Sequence, residues 1–444
     1  MKNPTPLPSV LRVARLTALA LFALLPAAAP AAGDLAPMLK DGSFFTTPLS
    51  GQASFRGERF AWVVKDKQMR FPSPGFALGA VKPGETLLLV ADGKPSGLRI
   101  SLYNRGDDGA IDDAAFAARH AAAVKAVGEL AGGEGEEFRR KTDPTKQDAD
   151  VAGRRWSATG ATYSLEWAVV RKGADLVPAA EYLRLDVLPA GAAAPGAGGT
   201  PQAGRRTDPR SHVARGEDGT VELQDVPMVD KGQKGYCAAA TVARIMGYYG
   251  YDFLDQHQIA SWAKSDADRG TNEKMLDAIA GVLHDRYKLV YREVPGSVND
   301  FFKLVEDYNK AAKRLKQPEV SLKPMPGTRV IDAGAVWRQF QPDVLREART
   351  KNQTRNNLFF DNIRKSIDAG VPVIWSVMLG LVPENPPLPQ AFGGHMRLII
   401  GYNPKDRTIL YTDSWGANHE RKSMKLEDAI LITTGLRTIS WTLN

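Results

Sequence analysis

The chain has 444 residues, of which 43% are hydrophobic and 24% are charged, and its formal net charge is +8. This ordinary globular composition has enough apolar residues for more than one core, and the length suggests two or three domains. Acidic and basic residues are mixed along the chain, and no basic stripe is interleaved with aromatic residues, so nothing favours a nucleic-acid partner.

Residues 1–32 are predicted to be a secretory signal peptide. Three basic residues precede a short apolar run from Leu16 to Leu25, and alanines suited to cleavage follow Pro26. The run is too short for a transmembrane helix, and no later segment reaches about 18 consecutive apolar residues. We therefore expect an exported protein, periplasmic or extracellular, without a membrane span once the signal is removed. The alternative is an uncleaved N-terminal anchor.

Residues 33–190 are predicted to form a small α+β domain with an antiparallel sheet. The segment from Asp112 to Ala131 has an Asp at its start, many alanines and a Gly-Gly stop, which predicts a helix. Apolar and alternating segments predict strands at residues 60–64, 86–91, 98–103, 163–170 and 181–187. No chemical motif occurs here, so the role of this domain stays open between an inhibitory pro-region, a binding module and a spacer.

Residues 191–218 are predicted to be a linker, because a stretch rich in alanine, glycine and proline cannot bury a core. Residues 219–444 are predicted to form a second domain. Its helices are expected at residues 237–249, 255–263, 271–283, 299–315 and 357–369, and a buried strand is expected at residues 371–377.

The only cysteine, Cys237, opens a run of strong helix formers that stops at Gly250. A thiol in the first turn of a helix faces unpaired backbone N–H groups and the positive end of the helix dipole, and both favour the thiolate. Because the thiolate is the nucleophile, this position suits a cysteine catalyst. Gln233 lies just upstream, where its amide could donate to an oxyanion. The alternatives are a buried inert thiol and an intermolecular disulfide.

A base and a residue to orient it are found together near the other end of the chain. His395 follows Gly393 and Gly394 and begins an apolar run typical of a strand. A turn at residues 403–407 leads to a returning strand that Asp413 closes. In a hairpin of this length His395 and Asp413 can be neighbours, so the carboxylate can accept from one imidazole nitrogen and hold the other toward the sulfur.

Together these residues resemble the papain-like cysteine peptidases, and more closely their C39-like branch, in which the third residue is Asp. The resemblance covers about residues 221–444 and combines Gly-Tyr-Cys-Ala-Ala-Ala, Gly-Gly-His and Asp-Ser-Trp-Gly. It implies an α+β fold with a helical part and an antiparallel sheet. It also implies roles for four residues: nucleophile, base, orienting carboxylate and oxyanion donor for Cys237, His395, Asp413 and Gln233.

The sequence departs from papain at two points. In papain the oxyanion Gln stands six residues before the Cys and the orienting residue is Asn, whereas here Lys231 is six residues before and Gln233 is four. Family members that cleave bacteriocin leaders sit on membrane transporters, and this sequence has no such part, so their substrate is not carried over.

Several residues are expected to meet the substrate. Gly393 and Gly394 leave room for a substrate backbone beside His395, and Tyr236 flanks the nucleophile. The resemblance implies that Trp415 shields the hydrogen bond between His395 and Asp413 from water. The proline-rich residues 381–390 are predicted to form one wall of the site, with a rigid surface loop as the alternative, and residues 323–353 are interpreted as an insertion foreign to the family.

The favoured interpretation is an exported cysteine peptidase that hydrolyses bonds in a peptide or protein substrate. The same site suits an amidase or a transglutaminase, since only the acceptor differs. The competing class is a non-catalytic peptide- or envelope-binding protein on a papain-like scaffold, and a third possibility is self-processing at the linker. No metal, nucleotide or other cofactor is indicated, because the sequence has no His-Glu-x-x-His, paired cysteines or Gly-rich phosphate loop. Oligomeric state and cleavage preference are not encoded in any recognisable pattern.

Overall fold

The computed structural model describes residues 33–140, 149–172, 177–192, 208–231, 235–251, 256–265, 270–271, 273–295, 300–325, 327–416 and 418–441. The predicted signal peptide, Gln233 and most of the predicted linker lie outside these residues. Across the described ranges, no helix is both long enough and apolar enough to cross a membrane.

The first part of the chain builds an antiparallel sheet in the order β1-β2-β3-β4-β8-β7-β6-β5. Its strands are β1 (Ala61–Val64), β2 (Gln68–Phe71), β3 (Thr86–Ala91), β4 (Lys94–Asn104), β5 (Glu136–Arg140), β6 (Ala149–Ser157), β7 (Ala161–Lys172) and β8 (Val177–Pro189). Its helices are α1 (Ala36–Asp41), α2 (Ser43–Thr46), α3 (Arg105–Asp108) and α4 (Asp113–Ala131).

The helix predicted from Asp112 forms as α4, because the Asp112 carboxylate caps it by accepting from the Ala115 N–H at 2.7 Å and Gly132 ends it in the left-handed conformation. Alternate residues of β4, β7 and β8 pack with α1, α2 and α4 in one apolar core. The intervening residues carry charge on the other face, where Arg99 pairs with Asp186 and Arg184 with Glu166, each at 2.8 Å.

The rest of the chain builds a second antiparallel sheet with helices around it. Its strands are β9 (Val213–Arg215), β10 (Val221–Leu223), β11 (Leu289–Glu293), β12 (Val373–Leu379), β13 (Gly393–Asn403), β14 (Thr408–Thr412), β15 (Lys422–Lys425) and β16 (Thr433–Trp441). Its helices are α5 (Cys237–Tyr248), α6 (Gln256–Ala263), α7 (Glu273–Tyr287), α8 (Phe301–Leu315), α9 (Ala333–Trp337), α10 (Pro342–Thr350), α11 (Gln353–Asp368) and α12 (Leu426–Ile432).

Strand β13 is the centre of this second sheet. The order is β11-β16-β12-β13-β10-β9, and β14 also pairs with β13 and carries β15. Leu398 of β13 faces Thr412 of β14. The start of β13 therefore lies beside Asp413, the residue that follows β14. Helix α5 packs against β13, with most of its side chains buried. The α+β class with antiparallel sheets is therefore confirmed.

Three predictions about this part need correction. Residues 209–215, assigned to the linker, form a 3-10 turn and strand β9, because β9 pairs in register with β10 through Val221 and Arg215. Residues 323–353 are not an appended insertion: α9 and α10 bury Trp337 and Leu345 in the core of the second domain. Helix α11 also begins four residues before its predicted start, because the Asn352 side chain caps it.

Candidate active site

Cys237 is the first residue of α5. The residue before it, Tyr236, supplies no side-chain cap, and its carbonyl accepts the Ala240 N–H at 2.8 Å. The backbone N–H groups of the first turn therefore remain directed at the region around the sulfur. The Cys237 side chain is partly buried against the apolar core. The structure thus places the thiol where the sequence predicts it, at the positive end of a well-packed helix.

His395 and Asp413 meet at the open end of the β13–β14 hairpin. His395 Nε2 lies 2.5 Å from Asp413 Oδ1, and both side chains are fully buried. The Asp413 N–H donates to the carbonyl of His419 at 2.9 Å, which fixes the backbone behind the carboxylate. The hairpin geometry predicted from the turn therefore brings this pair together.

The other imidazole nitrogen of His395, Nδ1, has no hydrogen-bond partner among the described residues and is therefore available to the Cys237 thiol. Burial alone would raise the pKa of Cys237, but its interactions with His395, with the charge of Lys231 and with the backbone of Met396 together outweigh burial and lower the pKa. Burial alone would lower the pKa of His395, but the charge of Asp413, the hydrogen bond with Asp413 and the interaction with Cys237 together outweigh burial and raise the pKa. These opposite shifts favour a thiolate–imidazolium pair.

Asp413 also has a cationic partner, Arg397. Arg397 Nε lies 3.0 Å from Asp413 Oδ2, and the Arg397 side chain is fully buried. Its other end donates to Glu384 Oε1 at 2.8 Å. Burial alone would raise the pKa of Asp413, but the positive charges of Arg397 and His395 hold the pKa below the usual range of a carboxyl group. Asp413 is therefore ionised and oriented from two sides.

Glu384 belongs to the proline-rich segment that precedes β13. Besides Arg397, its carboxylate accepts from the Tyr411 hydroxyl at 2.5 Å and from Lys422 Nζ at 3.0 Å. The Glu384 side chain is only 4% exposed. The buried hydrogen bonds of Glu384 thus hold this segment against the sheet, and Arg397 connects Glu384 to Asp413.

Arg244 joins the helix that carries Cys237 to the strand that leads to Asp413. Its guanidinium donates to the Asp413 carbonyl at 2.9 Å, to Thr412 Oγ1 at 2.6 Å and to the Pro227 carbonyl at 2.7 Å. The group is buried, and burial lowers its pKa to about 10. Three hydrogen bonds from one planar group fix α5 relative to the hairpin.

An indole ring covers the imidazole. Trp415 stacks on His395 with centroids 4.2 Å apart and planes within 8°. Lys231 places its Nζ 5.1 Å from the centroid of the Trp415 ring. His419 is buried, and its ring meets Trp415 edge-on at 5.7 Å. Trp415 thereby shields one face of the His395 ring.

The approach to His395 is open at Gly394. This residue is exposed, and a Cβ added to it would meet nothing within 4 Å. Gly393 adopts φ +123, and Gln390 Nε2 donates to the carbonyls of Phe392 and Gly394 at 3.1 and 3.4 Å. The absence of a side chain at Gly394 therefore leaves open space beside the histidine.

Tyr236 differs from its predicted role at the substrate. Its side chain is 1% exposed, and its hydroxyl lies 3.4 Å from Asn104 Oδ1 of the first domain. Because the ring is buried, the side chain does not line an open surface. Gln233, predicted as the oxyanion donor, lies outside the described residues.

The first domain touches the segments that flank the candidate site. Besides the contact between Asn104 and Tyr236, Arg70 Nη1 lies 3.7 Å from Asp230 Oδ2, next to Lys231. Gly416, which follows Trp415, is so close to Trp62 that an added Cβ would lie 3.2 Å from the Trp62 carbonyl oxygen. The charged face of the first sheet borders a cavity of about 310 Å³ between the two domains.

Sequence reasoning missed four residues of this arrangement: Glu384, Arg397, Arg244 and, as a charged neighbour of the sulfur, Lys231. Arg397 carries a readable signal, because a charged residue inside an otherwise apolar strand is buried only when it is paired. Arg244 and Glu384 have no local signal, since their partners lie on other elements of the fold.

Comparison with known proteins supports the resemblance found in the sequence. Residues 324–436 match the model of the peptidase C39-like family. The matched range contains His395 and Asp413 but not Cys237, and it includes residues that were interpreted as foreign to the family. The resemblance to C39-like cysteine peptidases is thereby confirmed, and the match supports a cysteine peptidase in general.

Among solved structures, the chain is similar to xylellain, a cysteine protease from Xylella fastidiosa. The identity is 16%, the match covers 53% of this chain and 88% of that chain, and the TM-score is 0.27. A TM-score of 0.27 does not indicate a shared fold. No curated protein matches the chain.

Proposed function

We propose that the protein is an exported cysteine peptidase with a papain-like C-terminal domain that hydrolyses peptide bonds through Cys237, His395 and Asp413. The observation that carries the proposal is the contact between His395 and Asp413, together with the opposite pKa shifts of the two groups that would react. The pKa of the Cys237 thiol is lowered and the pKa of the His395 imidazole is raised. Structural thiols that are buried and inert are not activated in this way.

The proposed reaction begins with the Cys237 thiolate, which attacks the carbonyl carbon of the scissile bond. The carbonyl electrons move to the oxygen, and the resulting oxyanion accepts hydrogen bonds from the Cys237 N–H and the Gln233 amide. As the tetrahedral intermediate collapses, the C–N bond breaks and His395 gives its proton to the leaving amine. An acyl thioester on Cys237 remains.

Water completes the cycle. His395, now neutral, takes a proton from the water as the oxygen attacks the thioester carbonyl. Collapse releases the carboxylic acid and returns the thiolate–imidazolium pair. Asp413 stays ionised throughout, because Arg397 and His395 both favour its charged form.

The test is a peptide library incubated with the purified full chain and read by mass spectrometry for new termini. We expect cleavage by the wild type and none by Cys237→Ala or His395→Ala. A matched control is His284→Ala, since His284 is exposed on α7, remote in sequence from the site. Equal turnover by the wild type and Cys237→Ala would contradict the proposal.

The same experiment separates the alternatives. If the acyl group of a glutamine side chain passes to an added primary amine and ammonia is released, the protein is a transglutaminase that uses this site. If a carboxamide side chain is converted to a carboxylate, the protein is an amidase. Binding of peptides without turnover would favour the non-catalytic scaffold. Cleavage confined to the chain's own linker would favour self-processing.

A further inference from the structure

The end of strand β4 lies against the residue that precedes the candidate nucleophile. The Tyr236 hydroxyl donates to Asn104 Oδ1 at 3.4 Å, and both residues are buried. On its other side, the Tyr236 ring meets the ring of His257 from α6 edge-on, with centroids 5.8 Å apart. Tyr236 is therefore enclosed between the first domain and α6, immediately before Cys237 begins α5.

The next residue of the first domain, Arg105, reaches the chain that follows α6. Its Nη2 donates to the Ser265 carbonyl at 2.9 Å, and its Nε donates to Glu181 Oε2 at 2.7 Å. The Arg105 side chain is 13% exposed, the Glu181 side chain is 3% exposed, and Ser265 is fully buried. A buried carbonyl of the second domain thus takes a hydrogen bond from a side chain of the first domain.

Ser265 is linked in turn to the segment that carries Cys237. Its hydroxyl lies 2.7 Å from the hydroxyl of Thr271. Gly270, which precedes Thr271, has φ +70, and a Cβ added to it would lie 3.0 Å from the Gly235 carbonyl oxygen. Gly235 is two residues before Cys237. The contact with the first domain therefore bears on the backbone that places the nucleophile.

The docked first domain leaves the approach to the site open. Gly394, beside His395, is exposed, and a Cβ added to it would meet nothing within 4 Å. An inhibitory pro-region would cover this approach, and a spacer needs no specific contacts beside the nucleophile. The contacts at Tyr236 and Ser265 fit neither of these roles.

We propose that the first domain is a positioning domain of the peptidase, in which Asn104 and Arg105 hold the backbone before Cys237 in the place that catalysis needs. This inference rests on the proposed function. Asn104 and Arg105 are positioning residues: they act through Tyr236 and Ser265 and transfer no proton. A displacement of about 1 Å at a reacting group can lower a rate about 100-fold, so contacts remote from the chemistry can control it.

The test uses the full chain with the substitution Arg105→Met. It measures alkylation of Cys237 by iodoacetamide across pH, and kcat and KM for a cleaved peptide. Loss of the hydrogen bond to Ser265 should let the sulfur move relative to His395, which weakens the interaction that favours the thiolate. We expect the alkylation midpoint to move upward by about half a pH unit and kcat to fall about 10-fold, with KM changed by less than about twofold.

Gly270→Ala perturbs the same chain of contacts from its other end. The added methyl group would press on the Gly235 carbonyl, so we expect an upward shift of the midpoint and a loss of kcat, as in Arg105→Met. The matched control is Gly327→Ala. Gly327 has φ +72 and therefore incurs the same backbone strain, but its added Cβ would meet nothing within 4 Å. This control should keep the midpoint and kcat of the wild type.

A second control separates the contact between the domains from the loss of a charge. Arg154→Met removes an ion pair with Glu137 inside the first domain and should change neither the midpoint nor kcat. If Arg105→Met does not fold, Tyr236→Phe replaces it, because this change removes only the hydroxyl beside Asn104 and keeps the buried ring. It should shift the midpoint and kcat in the same directions.

Three results would overturn the proposal. They are an unchanged midpoint and kcat in Arg105→Met, the same losses in either control variant, or a lower midpoint with a higher kcat in Arg105→Met, as expected when an inhibitory pro-region is released. Alkylation needs no peptide substrate. A wild type that cleaves no peptide therefore contradicts the proposed function, while the midpoints still decide whether the first domain positions the nucleophile.

Discussion

The guanidinium of Arg397 lies 3.0 Å from the carboxylate of Asp413, and neither side chain is exposed to solvent. On its other side Arg397 donates to Glu384 at 2.8 Å. One buried cation thus separates two buried carboxylates, and one of these carboxylates orients the candidate catalytic histidine. The site consequently depends on a residue that does not touch the sulfur.

Removing that cation should destabilise the fold. Arg397→Met leaves Asp413 and Glu384 with less compensating charge, so we expect the free energy of unfolding to fall by about 3–5 kcal/mol. The measurement is urea unfolding at neutral pH. The matched control is Arg314→Met, which removes an ion pair of similar length, 2.9 Å, from an exposed site with Glu347. That change should cost less than about 1 kcal/mol, and equal losses in the two variants would contradict the assigned role of Arg397.

The same carboxylates predict a pH dependence of stability. Burial would raise the pKa of Asp413 and Glu384, but Arg397 together with His395 for Asp413, and Arg397 together with Tyr411 and Lys422 for Glu384, outweigh burial and hold both pKa values below the usual range. A group whose pKa is depressed by folding contributes stability above its unfolded pKa of about 4, and this contribution is lost as the pH falls through the folded value.

Asp413→Asn isolates this contribution from that of other carboxylates. We expect the wild type to be more stable than Asp413→Asn at pH 7, because Arg397 and His395 stabilise the ionised form. The difference should narrow as the pH is lowered toward 3, since the carboxyl group of the unfolded wild type gains a proton below about pH 4 while that of the folded protein stays ionised. Urea unfolding of both proteins between pH 7 and pH 3 measures this difference in stability. A difference that does not change with pH would rule out a depressed pKa for Asp413.

Two glycines near the site should respond differently to substitution. Gly394 has open space where a Cβ would stand and is not in the left-handed region. Gly394→Val should therefore fold with nearly wild-type stability and keep a reactive thiol, yet raise KM for peptides by narrowing the approach to His395. Thermal unfolding measures the stability of this variant, alkylation measures the reactivity of its thiol, and peptide kinetics measure its KM. An unchanged KM would mean that the substrate does not pass Gly394.

Gly416 is the contrasting case. Its φ is +74, and an added Cβ would lie 3.2 Å from both the Asp230 carboxylate and the Trp62 carbonyl. Gly416→Ala should lower the free energy of unfolding by about 1–3 kcal/mol, because it combines backbone strain with a close contact between the domains. A melting temperature equal to that of the wild type would show that the domains separate easily at this point.

Local sequence signals predicted much of the candidate site. Cys237 lies at a helix start because alanines follow it and Gly250 stops the run, and both signals are short-range. His395 and Asp413 meet because a turn of four residues, 404–407, fixes the register of the strands on either side of it. These relationships were predictable since each depends on residues close together in the chain.

The supporting residues were not predictable in this way. Arg244 binds the Asp413 carbonyl 169 residues away, and Glu384 receives groups from three elements of the second sheet. Such contacts depend on how the helices and strands pack, which no local pattern encodes. Strand β5, with the sequence Glu-Glu-Phe-Arg-Arg, was missed for a related reason, because it is a polar edge strand without apolar alternation.

The most direct measurement is alkylation of Cys237 by iodoacetamide as a function of pH, followed by mass spectrometry of the folded protein. Because His395 lowers the pKa of the thiol, the wild-type midpoint should lie well below about 8.5, the value of a free cysteine. His395→Ala should move it upward. A wild-type midpoint at or above the free value, or no labelling of the folded protein, would contradict an activated nucleophile and favour a non-catalytic binding protein.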